Sequence, residues 1–249
     1  MSKEFWNKTL GQSFEIKKID GSILDNNFSP SERYLIDLLG DIRGKSVLEI
    51  GCGNGNLTVF LAKLGAKVTC IDTSNVSIQN TMRLAEYNGV DSNVKALNID
   101  AIMIGQIDEK FDIATGSFIL HHIEPFNDFA RLLSGVINKG GKCVFLENNL
   151  RSPLLWFAKK FVVGKLGVAK FSDDSEFPFE PRELDMIKKN FSYVKTHYAE
   201  FVFFQLLVSH IFRNNKFFIS VCGFLDRVFY KYLPFFNRYS YRQIICFSK

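Results

Sequence analysis

The sequence lacks a long apolar run, a secretion signal and a cysteine pair. No stretch of about 18 apolar residues occurs, and the nearest candidate, residues 201–212, is short and contains polar side chains. The first residues contain no apolar run followed by small side chains, so we expect no signal peptide. The five cysteines are widely spaced without a C-x-x-C pair, which disfavours a zinc site. We therefore expect no transmembrane helix, and reduced thiols in a cytoplasmic protein.

The chain also lacks an extreme composition. Its 249 residues are 47% hydrophobic and 23% charged, which excludes a disordered chain. A chain of this length can bury enough surface to fold without disulfides. Its net charge of +5 does not by itself support a nucleic-acid function. No repeat or low-complexity segment is visible, so the length indicates one large domain, or one domain with an insertion.

Short apolar segments alternate with helical patterns through much of the chain. Strands are predicted at 46–50, 67–71, 94–99, from 111 onward, at 142–146, 193–204 and 239–247. Helices are predicted at 31–39, 56–64, 77–88, 126–137, 181–190 and 215–233. Strands that alternate with helices indicate βαβ units and a parallel sheet, so the pattern predicts an α/β protein. The segment 150–180 breaks this rhythm and is interpreted as an insertion.

A glycine-rich motif follows the first predicted strand. Residues 49–55 have the sequence E-I-G-C-G-N-G. Glycines at such a turn let the backbone bend sharply and approach a ligand closely. The dinucleotide fingerprint G-x-G-x-x-G fits poorly because the third glycine comes one position early and Asn56 takes its place. A phosphate-binding P-loop is excluded because no Gly-Lys-Ser/Thr follows. A purely structural turn remains the alternative.

This E-x-G-x-G-x-G turn is similar to motif I of the class I S-adenosylmethionine-dependent methyltransferases. The resemblance extends over about residues 45–147. Asp72 and Asp100 end the second and third predicted strands, where that family places the acids that bind the ribose and the adenine amino group. Residues 111–123 resemble motif IV and the segment after it, and 140–146 resemble the next turn and strand. The resemblance implies a Rossmann-like, seven-stranded, mostly parallel sheet with helices on both faces and an antiparallel last strand.

The resemblance also implies a cofactor, S-adenosylmethionine, and a product, S-adenosylhomocysteine. The residues that it assigns to this cofactor lie at strand ends and in the turns that follow them. They are Glu49, Gly51, Cys52, Gly53, Asp72, Thr73, Asp100, Ala101 and Ser117. Asp72 has an alternative role as the N-cap of the next helix. Glu49 can face the charged end of the cofactor through water, or it can accept hydrogen bonds from local backbone donors.

Three residues are candidate general bases. The methyl group of S-adenosylmethionine is already activated, so the protein contributes mainly by positioning the acceptor. A base is needed only for an acceptor such as a hydroxyl group. His121 and His122 lie just past the fourth predicted strand and Glu147 ends the fifth, at the edge where such sheets bind ligands. The alternative is that the histidine pair serves structure. No metal is assigned.

The sequence constrains the acceptor only partly. Residues 114–118 are A-T-G-S-F, not the D/N-P-P-Y/F pattern that in this family marks methylation of exocyclic amines in nucleic acids. We therefore expect no nucleic-acid partner, and methyl transfer to oxygen of a small or amphiphilic acceptor, such as a saccharide, a lipid-linked intermediate or a phenol- or quinone-like molecule. N- or C-methylation of a small metabolite is an alternative. A catalytically inactive cofactor-binding or membrane-surface module is another.

The chain is predicted to form one domain over residues 1–249. Its parts are a helical cap (1–40), a cofactor-binding core (41–149), a lid (150–180) and a C-terminal part with an aromatic, basic helix (181–249). Six aromatic side chains of the cap and lid are candidates for an apolar acceptor pocket: Trp6, Phe14, Trp156, Phe157, Phe161 and Phe171.

The C-terminal part combines aromatic residues with positive charge. Residues 201–249 contain seven Lys or Arg and one acid. Apolar residues at 217, 221, 224, 228 and 232 have helical spacing. This stripe either packs on the sheet or forms a surface that meets an amphiphilic acceptor or a membrane, which would place a cytoplasmic protein at the membrane surface. The sequence leaves the oligomeric state open.

Overall fold

A seven-stranded sheet forms the centre of the protein. The computed structural model describes residues 3–21, 28–149, 151–153, 179, 181–199, 204 and 216–249. The strands are β1 (Ser46–Ile50), β2 (Lys67–Ile71), β3 (Val94–Leu97), β4 (Phe111–Ser117), β5 (Ile137–Asn148), β6 (Tyr193–His197) and β7 (Arg242–Ser248). Their order is β3-β2-β1-β4-β5-β7-β6. The pairs from β3 to β5 are parallel and β7 is antiparallel to both neighbours, which confirms the predicted Rossmann-like sheet.

The described residues contain seven α-helices. They are α1 (Lys3–Ser13), α2 (Pro30–Leu39), α3 (Asn56–Lys63), α4 (Asn75–Tyr87), α5 (Phe126–Val136), α6 (Pro181–Asn190) and α7 (Lys216–Tyr232). Five of the predicted helices agree with these bounds to within one residue at each end. A capping box begins α2, because Ser29 Oγ accepts from Glu32 N while Ser29 N donates to the Glu32 carboxylate.

Helices cover the two faces of the sheet through two hydrophobic layers. Val47 and Leu48 are both fully buried and belong to different layers, because successive strand residues point to opposite faces. The first layer joins the sheet to α2, α3 and α4, and the second joins it to α5 and α6. Burial on both faces explains why the central strands are nearly continuous apolar runs.

The sixth and seventh strands are shorter than predicted. The sequence pattern predicts a strand over 193–204, whereas β6 ends at His197, where its pairing with β7 stops. In the same way, β7 begins at Arg242 rather than at 239, because Pro234–Tyr239 forms a three-ten turn. Pairing with β7 therefore sets the end of β6, while the preceding turn and the pairing with β5 set the start of β7.

The fifth strand is longer than predicted. It begins at Ile137 rather than at 142, so Gly140 and Gly141, which were predicted to form a turn, lie within the strand. Ile137 pairs with Phe111 of β4 before the register shifts. Gly140 has a φ of 79°, so the strand is locally irregular at the position where the glycine pair predicted a turn.

Helix α4 and strand β3 each differ from the prediction by two residues at one end. Helix α4 begins at Asn75 rather than at 77, because the Ser74 hydroxyl accepts from Ser77 N and caps the helix at that point. Strand β3 ends at Leu97 rather than at 99. Both observed ends lie within two residues of the predicted ones, which is the usual uncertainty in assigning the end of an element.

Much of the predicted acceptor pocket lies outside the described residues. Of the predicted lid, 150–180, only 151–153 and 179 are described, so the division into cap, core and lid stays a prediction. Phe14 packs against the first core layer. The side chains of the other five aromatic candidates lie outside the described residues: Trp6, Trp156, Phe157, Phe161 and Phe171.

The five cysteines are free thiols. Cys52, Cys70 and Cys143 are buried, while Cys222 and Cys246 are half-buried. Burial raises the pKa of the Cys143 thiol well above its ordinary value, so this thiol stays protonated at neutral pH. In the part of the chain that the structure describes, no helix has the length and apolar character needed to cross a membrane.

Gly55 offers a test of how tightly the turn before α3 is packed. Its φ is 80°, and a Cβ there would lie 2.7 Å from Thr81 Cα. Gly89 has a similar φ of 68°, but its Cβ would meet nothing within 4 Å. Both Gly→Ala changes force a left-handed conformation that costs about 1–2 kcal/mol. We expect Gly55→Ala to cost a further roughly 1–3 kcal/mol through the overlap with α4.

Urea unfolding of the two variants measures this difference. Equal losses of unfolding free energy for Gly55→Ala and Gly89→Ala would show that α4 moves away at little cost and that the turn is not tightly held.

Candidate functional site

A cavity of about 770 Å³ opens at the carboxyl edge of the sheet. It lies where β1 is flanked by β2 on one side and β4 on the other, which is the topological switch point of such a sheet. Seven of the nine predicted cofactor residues line it: Gly51, Gly53, Asp72, Thr73, Asp100, Ala101 and Ser117. Glu49 and Cys52 are not among the lining residues. The fold thus brings together residues that lie at the ends of four different strands, β1 to β4.

The glycine turn between β1 and α3 is held against the end of β2. The amides of Gly51 and Cys52 donate to the carbonyl oxygen of Ile71, at 2.9 and 3.2 Å. A Cβ on Gly51 would lie 2.8 Å from the Ile119 side chain, so the close approach of two chain segments requires glycine there. A Cβ on Gly53 would meet nothing within 4 Å. The turn is therefore packed on one side and open on the cavity side.

Asp72 joins this turn to the beginning of α4. Its Oδ2 accepts from Gly53 N at 3.0 Å and its Oδ1 accepts from Ser74 N at 2.8 Å. The N-cap of α4 is Ser74 and not Asp72. Burial raises the pKa of the Asp72 carboxyl, while the two amide donors lower it. Each carboxylate oxygen keeps acceptor capacity, because it receives one backbone amide and carries two lone pairs.

The segment after β3 forms the opposite wall of the cavity. Asp100 is exposed, and its Oδ1 accepts from Ile102 N at 3.1 Å, so it caps the three-ten turn Ala101–Gln106. Ala101 is buried beneath it. Asn98 Nδ2 donates to the carbonyl oxygen of Asp72 at 2.8 Å. This bond ties the two acid-bearing strand ends to each other.

Glu49 and Cys52 lie behind the cavity wall. Glu49 is 2% exposed, and the Thr58 hydroxyl donates to its Oε2. Burial raises the pKa of the Glu49 carboxyl to about 8, the Thr58 hydrogen bond opposes this, and the charge of Asp72 adds to it. The Thr81 hydroxyl lies 3.4 Å from Cys52 Sγ. The partner of Glu49 is thus a side-chain hydroxyl of α3 rather than one of the backbone donors considered from sequence.

Glu147 anchors the segment that follows β4. Its side chain is fully buried, and its Oε1 accepts from Ile119 N at 2.9 Å and from Leu120 N at 2.6 Å. Its Oε2 lies 2.6 Å from His121 Nδ1. One buried carboxylate therefore satisfies two backbone donors and orients one imidazole ring.

The two histidines occupy different positions. His122 lines the cavity, whereas His121 is turned toward Glu147 and is not among the lining residues. The two ring centroids lie 4.0 Å apart. The three candidate bases are therefore neighbours, but only His122 faces the space where ligands can bind.

Several lining residues were not predicted from sequence. Leu10, on α1, lines the cavity. Helix α1 is held against the start of α4 by a hydrogen bond that the Ser74 hydroxyl donates to Asn7 Oδ1 at 2.5 Å. Phe118 also lines the cavity and has a φ of 57°, an uncommon conformation for a bulky residue. No sequence signal marks Leu10, whereas Phe118 lies within the segment that resembles motif IV.

No metal site is visible in the part of the chain that the structure describes. Among those residues, no group of three or more His, Cys, Asp or Glu side chains is placed to hold a metal ion.

Comparison with known sequences identifies the central part of the chain. Residues 47–141 match the family model of a methyltransferase domain. The ubiquinone biosynthesis O-methyltransferase of Bordetella avium is 30% identical over 124 residues, which are 48% of this chain and 49% of that protein. The chain spans about half the length of the curated relatives that it matches.

Solved structures share the fold across nearly the whole chain. The magnesium protoporphyrin IX methyltransferase from Synechocystis PCC 6803, solved with bound SAH, has a TM-score of 0.60 at 15% identity and covers 99% of this chain and 94% of its own. An N-methyltransferase from Bradyrhizobium japonicum WM9, solved in complex with S-adenosyl-L-homocysteine, has a TM-score of 0.58 at 15% identity and covers 97% of each chain. These likenesses confirm the predicted fold. Residues 47–141 thus match a methyltransferase domain, and the fold around them is the one that these two solved methyltransferase structures share.

Proposed function

We propose that this chain transfers a methyl group from S-adenosylmethionine to a hydroxyl oxygen of a small or amphiphilic acceptor. The observation that carries the proposal is the cavity itself, where the glycine turn, two acids and one histidine meet at a single sheet edge. The lining histidine is what favours oxygen, because a hydroxyl acceptor needs a proton acceptor beside it.

The residues that line the cavity fit this cofactor. The two Asp72 oxygens can each accept one ribose hydroxyl in addition to their backbone amides, since both keep a lone pair. Gly53 leaves open space at the turn, which lets a ligand approach the backbone. Asp100 and Ala101 provide the wall assigned to the adenine ring. When bound, the cofactor supplies an activated methyl group, and the chain supplies its orientation.

His122 is proposed as the general base. It lines the same cavity as Ser117 and Phe118, which lie at the end of β4. A hydroxyl acceptor held there could pass its proton to the imidazole as its oxygen attacks the methyl group, a contribution of about 10²–10⁴-fold. The Bordetella relative is named for O-methylation in ubiquinone biosynthesis, which supports a hydroxyl acceptor and makes phenols the first class to test.

Glu147 and His121 are proposed to position His122. The Glu147 carboxylate is fully buried and already receives hydrogen bonds from Ile119 N and Leu120 N, with His121 Nδ1 beside its second oxygen. An acceptor in the cavity meets His122 before it meets this carboxylate, because Glu147 does not line the space. Glu147 therefore acts through the backbone that carries His122 rather than on the acceptor.

Removing the negative charge of Asp72 tests the cofactor site. We expect Asp72→Asn to weaken binding of S-adenosylmethionine and S-adenosylhomocysteine by more than tenfold, about 1.4 kcal/mol, because an amide has only one acceptor oxygen. Calorimetric titration of the purified protein measures the affinity. Asp41→Asn is the matched control, since Asp41 is exposed and accepts only locally, from Arg43 N. Unchanged affinity in a folded Asp72→Asn variant would remove Asp72 from the site.

Replacing each of the two histidines in turn tests which of them is the general base. With an acceptor found by transfer of a labelled methyl group to phenols, saccharides or lipid-linked alcohols, we expect His122→Gln to lower kcat by about 10²–10⁴-fold. Cofactor affinity should stay at the wild-type value. The His121 ring lies against Glu147, so we expect His121→Gln to lower kcat less than His122→Gln does. A larger loss from His121→Gln would assign the proton transfer to the His121–Glu147 pair.

The buried Glu49 carboxyl predicts a pH-dependent stability. Its pKa is about 8 in the folded protein against an ordinary 4.5, so between these values the folded chain holds a proton that the unfolded chain has released. The contribution of this proton to the free energy of unfolding is therefore fully present below pH 4.5, falls as pH rises toward about 8, and is absent above that value. We expect Glu49→Gln, which cannot ionise, to unfold with a flatter pH dependence in urea titrations.

The control for this measurement is Glu86→Gln. Glu86 is exposed on α4, so its variant should follow the wild-type profile. A Glu49→Gln profile as steep as that of the wild type would show that Glu49 is ionised in the folded protein.

A further inference from the structure

Helix α7 turns its apolar stripe outward. Val221, Phe224 and Tyr232 are exposed by 42%, 58% and 66%, and they follow the spacing that places residues on one helix face. The one acid of the helix, Asp226, is only 4% exposed, and its Oδ1 accepts from Phe204 N at 3.0 Å. A surface helix of a globular protein shows the opposite arrangement, with charge outside and apolar residues inside.

The three-ten turn after α7 extends the same apolar surface. Leu233 and Phe235 are exposed by 42% and 62%. The Phe236 ring lies 6.1 Å from that of Phe229, so the turn stays against the helix. Exposed apolar patches rimmed by polar residues mark sites of association, because burying them releases free energy.

Positive charge borders this surface. Arg227 and Lys231 are both exposed and lie one helical turn apart, beside the apolar stripe. The Arg238 guanidinium lies 3.9 Å from the centre of the Phe235 ring. Asp226 is the only acidic side chain of residues 201–249, and it is buried, so this segment presents cations and no acidic side chain at its surface.

We propose that α7 and the turn Pro234–Tyr239 dock this protein on an anionic phospholipid surface. Outward aromatic and aliphatic side chains with lysine and arginine beside them are the features of a helix that lies in the membrane interface. The apolar stripe enters the boundary between headgroups and acyl chains, while the cations contact lipid phosphates. None of the residues of this surface lines the cofactor cavity, and its role does not depend on methyl transfer.

A second copy of this chain fits the surface less well. A two-fold contact through α7 would bring the same residues of both copies together. The cations of both copies would then lie within one contact, with no exposed acidic side chain on this segment to pair with them. Such like-charge contacts oppose association. An anionic surface is complementary to both the charge and the aromatic stripe.

Vesicle co-sedimentation of the full chain tests the proposal. Vesicles of phosphatidylcholine alone are compared with vesicles of phosphatidylcholine mixed with phosphatidylserine. We expect the protein to sediment with the mixed vesicles and much less with the neutral ones, and we expect added salt to weaken the binding. Phe224→Ser combined with Tyr232→Ser should lower the partition coefficient at least tenfold. Arg227→Gln and Lys231→Gln should each lower it about fivefold on the mixed vesicles only.

Tyr87→Ser is the matched control. Tyr87 is 61% exposed at the end of α4, so its loss removes an exposed aromatic ring outside the proposed surface and should leave the partition coefficient unchanged. All the changed side chains are exposed, so we expect every variant to fold. Circular dichroism and titration with S-adenosylhomocysteine check this.

Three results would overturn the proposal. The first is a folded protein that sediments with neither vesicle. The second is equal binding to neutral and anionic vesicles, or binding that the Phe224→Ser, Tyr232→Ser variant retains in full. The third is a dimer, detected by sedimentation equilibrium, that this variant dissociates while vesicle binding is absent, which would assign the surface to a second copy of the chain.

Discussion

The site depends on the hydrogen bonds that join the glycine turn to the end of β2. Gly51 and Cys52 donate to the Ile71 carbonyl and Gly53 donates to Asp72, so the chain leaving β1 is fixed beside the chain leaving β2. Parallel strands end at the same edge, but they do not by themselves create a cavity. The positive φ of the glycines turns the backbone away from β1 and opens the space. The proposed ribose acceptor, Asp72, is thus also a structural partner of the turn.

The alternation of strands and helices was predictable because each element matches its own hydrophobic period. The glycine turn, Asp72 and Asp100 could also be placed at strand ends, and the structure brings them to one cavity. The end of β6 and the start of β7 could not, because β6 stops where its pairing with β7 stops and β7 starts after a three-ten turn, where its pairing with β5 begins. Leu10 reaches the cavity only through the contacts of α1 with α4, and no local pattern encodes such a contact.

The roles of the three candidate bases could not be predicted from sequence either. In the sequence, His121 and His122 are equivalent, because both follow the fourth strand, and Glu147 is a second candidate at the end of the fifth strand. Their roles separate only when β4 and β5 pair in register, which brings Ser117 opposite Leu146 and sets Glu147 beneath the amides of 119 and 120. A carboxylate buried with these donors is costly to disturb, since its removal would leave two buried amides unsatisfied. The geometry therefore favours anchoring for Glu147 and leaves the cavity to His122.

Helix α7 shows what hydrophobic periodicity can and cannot predict. The spacing of its apolar residues predicts a helix correctly, but it does not specify whether the stripe faces the sheet or the outside. Packing a side chain such as Phe224 inward would contribute roughly 1.5–3 kcal/mol to folding. The helix instead buries Asp226 and holds it with a backbone amide, while the aromatic stripe stays exposed. The free energy of burying that stripe is consequently not used by the fold, and it remains available for association with a partner that carries negative charge.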